Sequence, residues 1–114
     1  MTKIIQINSL EEAAEEMKKI DVDPRGIEIM KKKFIFKVLK LKDVKTAWAN
    51  IIKQEMLSLG ADAATSEDTV GCKKPTTDVL LAGTVSQLER LVAKLREQVG
   101  GLKDIADEIA DNLG

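Results

Sequence analysis

Histidine and tyrosine are absent from this chain of 114 residues, which holds a single cysteine, a single tryptophan and two phenylalanines. Without histidine, no Ser-His or Cys-His pair and no histidine-containing zinc site can be assembled from this chain alone. The lone thiol, Cys72, closes no intramolecular disulfide and fits a reducing compartment. Phe34, Phe36 and Trp48 are too few to make a platform on which bases stack. Uncharged apolar runs such as Val79 to Ala82 fall far short of the roughly 20 residues that span a bilayer. Eighteen basic and nineteen acidic side chains leave a formal net charge of −1, so no global field draws in nucleic acid or an anionic membrane. Neither is expected as a partner, and no metal or cofactor is expected. The start, KIIQINSLEE, lacks the charged, long-apolar and small-residue regions of a secretory signal, which makes a cytoplasmic address the expectation.

What remains is the composition of a folded domain, with 44% hydrophobic and 32% charged residues. At this length one core is expected, hence one domain over residues 1–114. Ile4, Ile5 and Ile7 are β-branched and predict a strand over Lys3 to Asn8. Ser9 and Glu12 then form an S-x-x-E capping box, and Leu10, Ala13, Ala14 and Met17 recur at helical spacing to Ile20. Pro24 and Gly26 predict a loop over Asp21 to Gly26, with a turn of helix beyond it. Lys33 to Lys42 alternates between two mostly apolar faces, as in a central strand. Asp43 is positioned to cap the next helix, whose apolar face runs from Val44 through Trp48, Ile51, Ile52 and Met56 to Leu59, with Gly60 as the left-handed stop.

Short extended segments are expected near Ala61 to Thr65 and over Thr69 to Cys72, and Asp78 to Ala82 reads as a buried strand. Thr84 with Gln87, or Ser86 with Glu89, opens a helix to about Gln98, and Gly100 and Gly101 divide it from a last helix over Leu102 to Leu113. The expected class is α+β: a short mixed sheet of about four strands, with about four helices packed mainly on one face.

Few groupings carry chemistry. Gly83 and Thr84, at a strand-to-helix junction, could offer backbone amides to an anion, although no phosphate-loop pattern surrounds them and plain capping explains them as well. Asp62 and Asp78 flank short strands near glycines, where a carboxylate either orders a turn or meets a ligand. Lysines crowd Lys31 to Lys45, among them Lys33, Lys37 and Lys40; they serve either to protect a sheet edge or to meet an acidic partner. Trp48 shares its face with Val44, Ile51 and Ile52, so it anchors a core or sits in a contact surface. The adjacent pairs Glu15/Glu16 and Asp107/Glu108 point apart on their helices and make no acid-base couple. No catalytic residue is assigned, and a self-contained enzyme is disfavoured.

Four phrases carry a family resemblance: KQEMLSLGADAA from Lys53, TDVLLAGTVSQ from Thr77, LVAKLREQ from Leu91 and GLKDIADEI from Gly101, preceded by VDPRGIEIMKKKFIFKVLKL from Val22. In this order they resemble the extra amino-terminal domain that a group of bacterial dihydropteroate synthases carries ahead of the catalytic barrel. Val99 and Gly100 depart from the proline and phenylalanine of that pattern. The resemblance implies an accessory domain that docks on, positions, covers or dimerises the barrel, in cis or in trans, with a homodimer as a further arrangement. It does not bring the chemistry, which belongs to a barrel of roughly 200 residues or more. Lys33, Lys37, Lys40 and Trp48 are the candidate partner contacts. The alternative is a stand-alone domain binding a pterin-type or phosphate-type ligand through Asp62, Asp78, Gly83 and Thr84.

Overall fold

In the computed structural model, which describes residues 1–98 and 100–113, α1 spans Leu10–Lys19. The Ser9 hydroxyl accepts the Glu12 amide at 3.1 Å and the Glu12 carboxylate accepts the Asn8 amide at 2.9 Å, so donors at the helix start are satisfied locally. Ala13 and Met17 of α1 bury against Ile27 of α2, which spans Pro24–Met30. Pro24 opens this helix and does not interrupt it. Its missing N–H is harmless in the first turn, and the Asp23 carboxylate accepts the Arg25 amide at 2.8 Å. The expected loop is thereby shortened from the Gly26 side.

One 3-10 turn over Lys31–Lys33 leads to β1, Phe36–Lys45. Then follow α3 (Thr46–Ser58), β2 (Asp62–Ala64), β3 (Thr76–Thr84), α4 (Val85–Arg96) and α5 (Leu102–Asp111). The sheet order is β1-β3-β2, and β3 is antiparallel to both neighbours. β1 and β2 therefore run the same way with β3 inserted between them, a split β-α-β unit with α3 as its crossover. The class is α+β as expected, but the sheet has three strands where about four were expected, every pairing is antiparallel, and the α-helices number five among the described residues.

The missing strands have physical reasons. Lys3 to Asn8 has the composition of a strand but no neighbour to pair with, and Ile4 is 98% exposed; β propensity expresses packing against a neighbour. Thr69 to Cys72 coils into a turn closed by the Cys72 amide on the Thr69 carbonyl at 3.1 Å. Lys33 lies in the 3-10 turn, so the strand expected from Lys33 begins at Phe36. It is an edge strand and not the central one, since β3 holds the middle of the sheet and the apolar residues on the outer face of β1, Phe36 and Val38, stay exposed. Asp43, expected to cap α3, sits inside β1 at φ 55°, where the register slips between Leu41 and Val44. Its amide donates to the Asp78 carboxylate at 3.0 Å, making this a β-bulge held by a side chain. The α3 start is served instead by the Pro75 carbonyl, which accepts the Thr46 amide at 3.1 Å.

Alternation along the strands sends Leu41, Val44, Val79 and Leu81 inward, where α3, α4 and α5 cover them with Ile52, Met56, Leu88, Leu91, Leu95 and Ile109. Helices lie on this face, as the expectation had it. β1 runs into α3 with no intervening residue, and β3 runs into α4 in the same way. Val99, part of the departure from the family pattern, lies outside the described residues.

Candidate functional site

Thr84 is the N-cap of α4. Its hydroxyl accepts the Gln87 amide at 3.1 Å, and the Gln87 side-chain oxygen accepts the Thr84 amide at 2.9 Å, which completes the capping box read from the sequence. Gln87 also donates through Nε2 to the Leu59 carbonyl at 3.1 Å, tying the start of α4 to the end of α3. Two amides that would greet an anion at this helix start already have protein partners. Gly83 is buried beside them, and a Cβ placed there would lie 3.1 Å from both the Ala61 Cβ and the Gln87 side-chain oxygen. Close approach of α4 to the loop after α3 accounts for this glycine.

Asp62 pairs in register with Ala82, one residue from Gly83. Its carboxylate meets the Lys53 ammonium at 2.8 Å and accepts the Ala63 amide at 2.7 Å. Lys53, first of all, and then the Ala63 amide hold the Asp62 carboxyl below its ordinary value of 3.8. Lys53 also donates to the Ala63 carbonyl, so a lysine from α3 pins the short edge strand β2 by both its side chain and its backbone. Asp78 lies six residues from Thr84 along β3, about 20 Å away at strand rise. The four ligand candidates thus separate into a group of Asp62, Gly83 and Thr84 at one end of β3, and Asp78 alone at the bulge.

The partner candidates separate too. Lys33 is exposed on the 3-10 turn, and Lys37 is half-buried and donates to the Asn112 carbonyl at 3.1 Å. Lys40 is exposed on the outward side of the sheet. Trp48 is half-buried in the helical layer with Lys45 Nζ 4.7 Å from its ring centroid, a cation–π contact. Its ring packs on Gly101, where any added Cβ would overlap it. Trp48 thus packs against the main core from its edge and keeps part of its ring exposed.

Sequence reasoning passed over Lys53, Gln87 as a tie to Leu59, and Asn50, whose amide nitrogen donates to the Thr69 carbonyl at 3.0 Å. The Thr69 hydroxyl beside it is buried and has no partner among the described residues. Only the Gln87 tie had a sequence signal, its place at N3 of a capping box. Among the described residues no group of three or more Cys, Asp or Glu side chains gathers closely enough to hold a metal ion, and no helix is long and apolar enough to cross a membrane.

No family model and no solved structure matches the chain. Among curated proteins it is similar to the bifunctional dihydropteroate synthase/dihydropteroate reductase of Helicobacter pylori, 33% identical over 97 residues, covering 85% of this chain and 26% of that protein. A probable bifunctional folylpolyglutamate synthase/dihydropteroate synthase of Halobacterium salinarum is 30% identical over 108 residues, covering 95% of this chain and 13% of the relative. The protein of the same description from Haloferax volcanii is 38% identical over 65 residues, 57% of this chain and 8% of its own length. The chain thus spans about a quarter or less of the length of the relatives it matches, and it is homologous to a partial region of dihydropteroate synthase-containing proteins.

Proposed function

We propose that this chain is a non-catalytic accessory and interaction module that works with a dihydropteroate synthase barrel in folate synthesis, in cis or in trans, in the cytoplasm. The observation that carries this reading is the asymmetry of coverage: nearly all of this chain aligns with a small share of proteins named for dihydropteroate synthase. The residues support it as well. Asp62 is engaged by Lys53, Thr84 by Gln87 and Asp78 by the Asp43 amide, so the polar groups singled out as site candidates are spent on holding strands and helix ends. Trp48 fills a gap against Gly101.

An amide-resolved NMR titration tests the proposal. The chain receives the catalytic barrel from the same organism, then pterin diphosphate and p-aminobenzoate separately. Shifts with the barrel alone are expected. Shifts with a small molecule, centred on Asp62 and on Asp78 to Gln87, would replace the proposal with a ligand-binding domain. Turnover of pterin substrates by the purified chain would end it.

A further inference from the structure

Among the described residues no helix covers the outward face of the sheet, where Phe36, Val38 and Leu80 are exposed. Register lays three rows across it: Phe36 beside Thr84; Val38, Ala82 and Asp62; Lys40, Leu80 and Ala64. Phe36 is 63% exposed, Val38 60% and Leu80 44%, which makes one apolar strip on adjacent strands. A shallow hollow of about 350 Å³ lies over it, floored by Val38, Ala64, Leu80 and Ala82. Contiguous exposed apolar surface of this kind marks a site of association.

Of the carboxylates bordering the strip, Asp62 is engaged with Lys53 and Asp78 with the Asp43 amide, while Asp43 itself is exposed at the bulge. Lys40 and Lys42, on the outward side of β1, are exposed, and among the described residues neither side chain takes part in an ion pair or hydrogen bond. We propose that this face is the docking surface for an amphipathic protein helix, its aliphatic side chains seated along Phe36, Val38 and Leu80 and its carboxylates meeting Lys40 and Lys42. The helix supplies the missing third layer over a sheet already covered on its other side. The inference rests on the accessory-module reading, because a barrel of this type wears an outer ring of helices. A second copy of the chain is the poorer occupant, since the outward positions of β1, Phe36, Val38, Lys40 and Lys42, hold no carboxylate for a partner's lysines. Single-stranded nucleic acid is poorer still, with one aromatic side chain on the face to stack a base.

Two arms test it. In the first, a synthetic helical peptide with leucines along one stripe and glutamates flanking them is titrated into the chain, followed by its glutamine counterpart. The result expected is amide shifts confined to Phe36–Lys42 and Asp78–Thr84 and weaker binding of the glutamine peptide. Val38→Ser with Leu80→Ser should weaken binding by roughly tenfold or more, as for loss of an apolar anchor. Lys40→Glu with Lys42→Glu should do the same, with the α4 and α5 amides unmoved in both variants. Absent shifts, shifts elsewhere, or affinity indifferent to these substitutions would overturn the surface. So would a concentration-dependent dimer that covers the strip, or a uridine oligonucleotide that binds there. In the second arm the barrel replaces the peptide. If it binds and the Val38→Ser/Leu80→Ser chain binds equally well, the surface is wrong and the accessory reading survives. If the peptide seats on the strip and the barrel binds nowhere, the surface stands and the accessory reading falls.

Discussion

The α1–α2 region and the sheet with its three helices use similar amphipathic patterns but are held by very different amounts of burial. Seventeen buried apolar residues, all among the described residues, form one cluster between the sheet and α3, α4 and α5. Around α1 and α2 the buried set is Ala13, Met17 and Ile27. A hollow of about 450 Å³ opens beside them, lined by Ile5, Ile7, Met17, Ile20, Val22 and Phe34. The Cα radius of gyration, 16.2 Å, exceeds the roughly 13 Å of a compact chain this long. Capping signals therefore set where a helix starts, while the neighbours available to its apolar stripe set how firmly it is held. The two regions should open with different free energies.

The widest gap is expected from matched truncations. Leu81→Ala, in a side chain with no exposure, should cost about 2–5 kcal/mol and move the urea midpoint of the whole chain. Met17→Ala should speed amide exchange in α1 and α2 while leaving the midpoint nearly in place; equal midpoint shifts would merge the two regions into one cooperative unit. Gly101→Ala comes next, because its Cβ overlaps the Trp48 ring. A loss of about 1–3 kcal/mol is expected from such overpacking, reduced when Trp48→Leu makes room. A double-mutant cycle with no coupling would remove this contact from the account. Thr84→Ala should cost about 1 kcal/mol, the usual worth of an N-cap, and should loosen the first turn of α4 in exchange measurements.

The smallest effect concerns Asp62, whose carboxylate is exposed and held below 3.8 by Lys53. A depressed folded value adds stability above the ordinary carboxylate range and loses it as pH falls through the folded value. A side-chain NMR titration should therefore place Asp62 below 3.8, and Lys53→Met should bring it back up. A wild-type midpoint at or above 3.8 would contradict the ion pair.

Helix starts were legible where the signal is local, as at Ser9 with Glu12 and at Thr84 with Gln87. Strands were legible where both sides of the pairing are apolar in the sequence, β1 on two mostly apolar faces and β3 as the short apolar run from Val79 to Ala82. Lys3 to Asn8 misled because β-branched composition says nothing of whether a neighbour exists. Asp43 misled because a residue that suits an N-cap also suits the left-handed corner of a bulge, and the choice was made by Asp78, thirty-five residues on. The candidate site was legible as residue types and not as a constellation. Asp62 depends on Lys53 across a turn, and Asp78 is separated from Thr84 by the length of a strand, facts that spacing alone does not carry.

The seamless passages from Lys45 to Thr46 and from Thr84 to Val85 make strand and helix behave like meshed gears. A residue inserted in β1 or β3 just before either junction would swap that strand's inner and outer faces, since side chains alternate with period two. Inserted just after, it would turn the helical stripe by about 100° relative to the strand that feeds it. In most domains a loop absorbs such a slip. Here nothing stands between the two teeth, so length changes should be tolerated around Ser66–Pro75 and at Gly100, and rejected at both junctions.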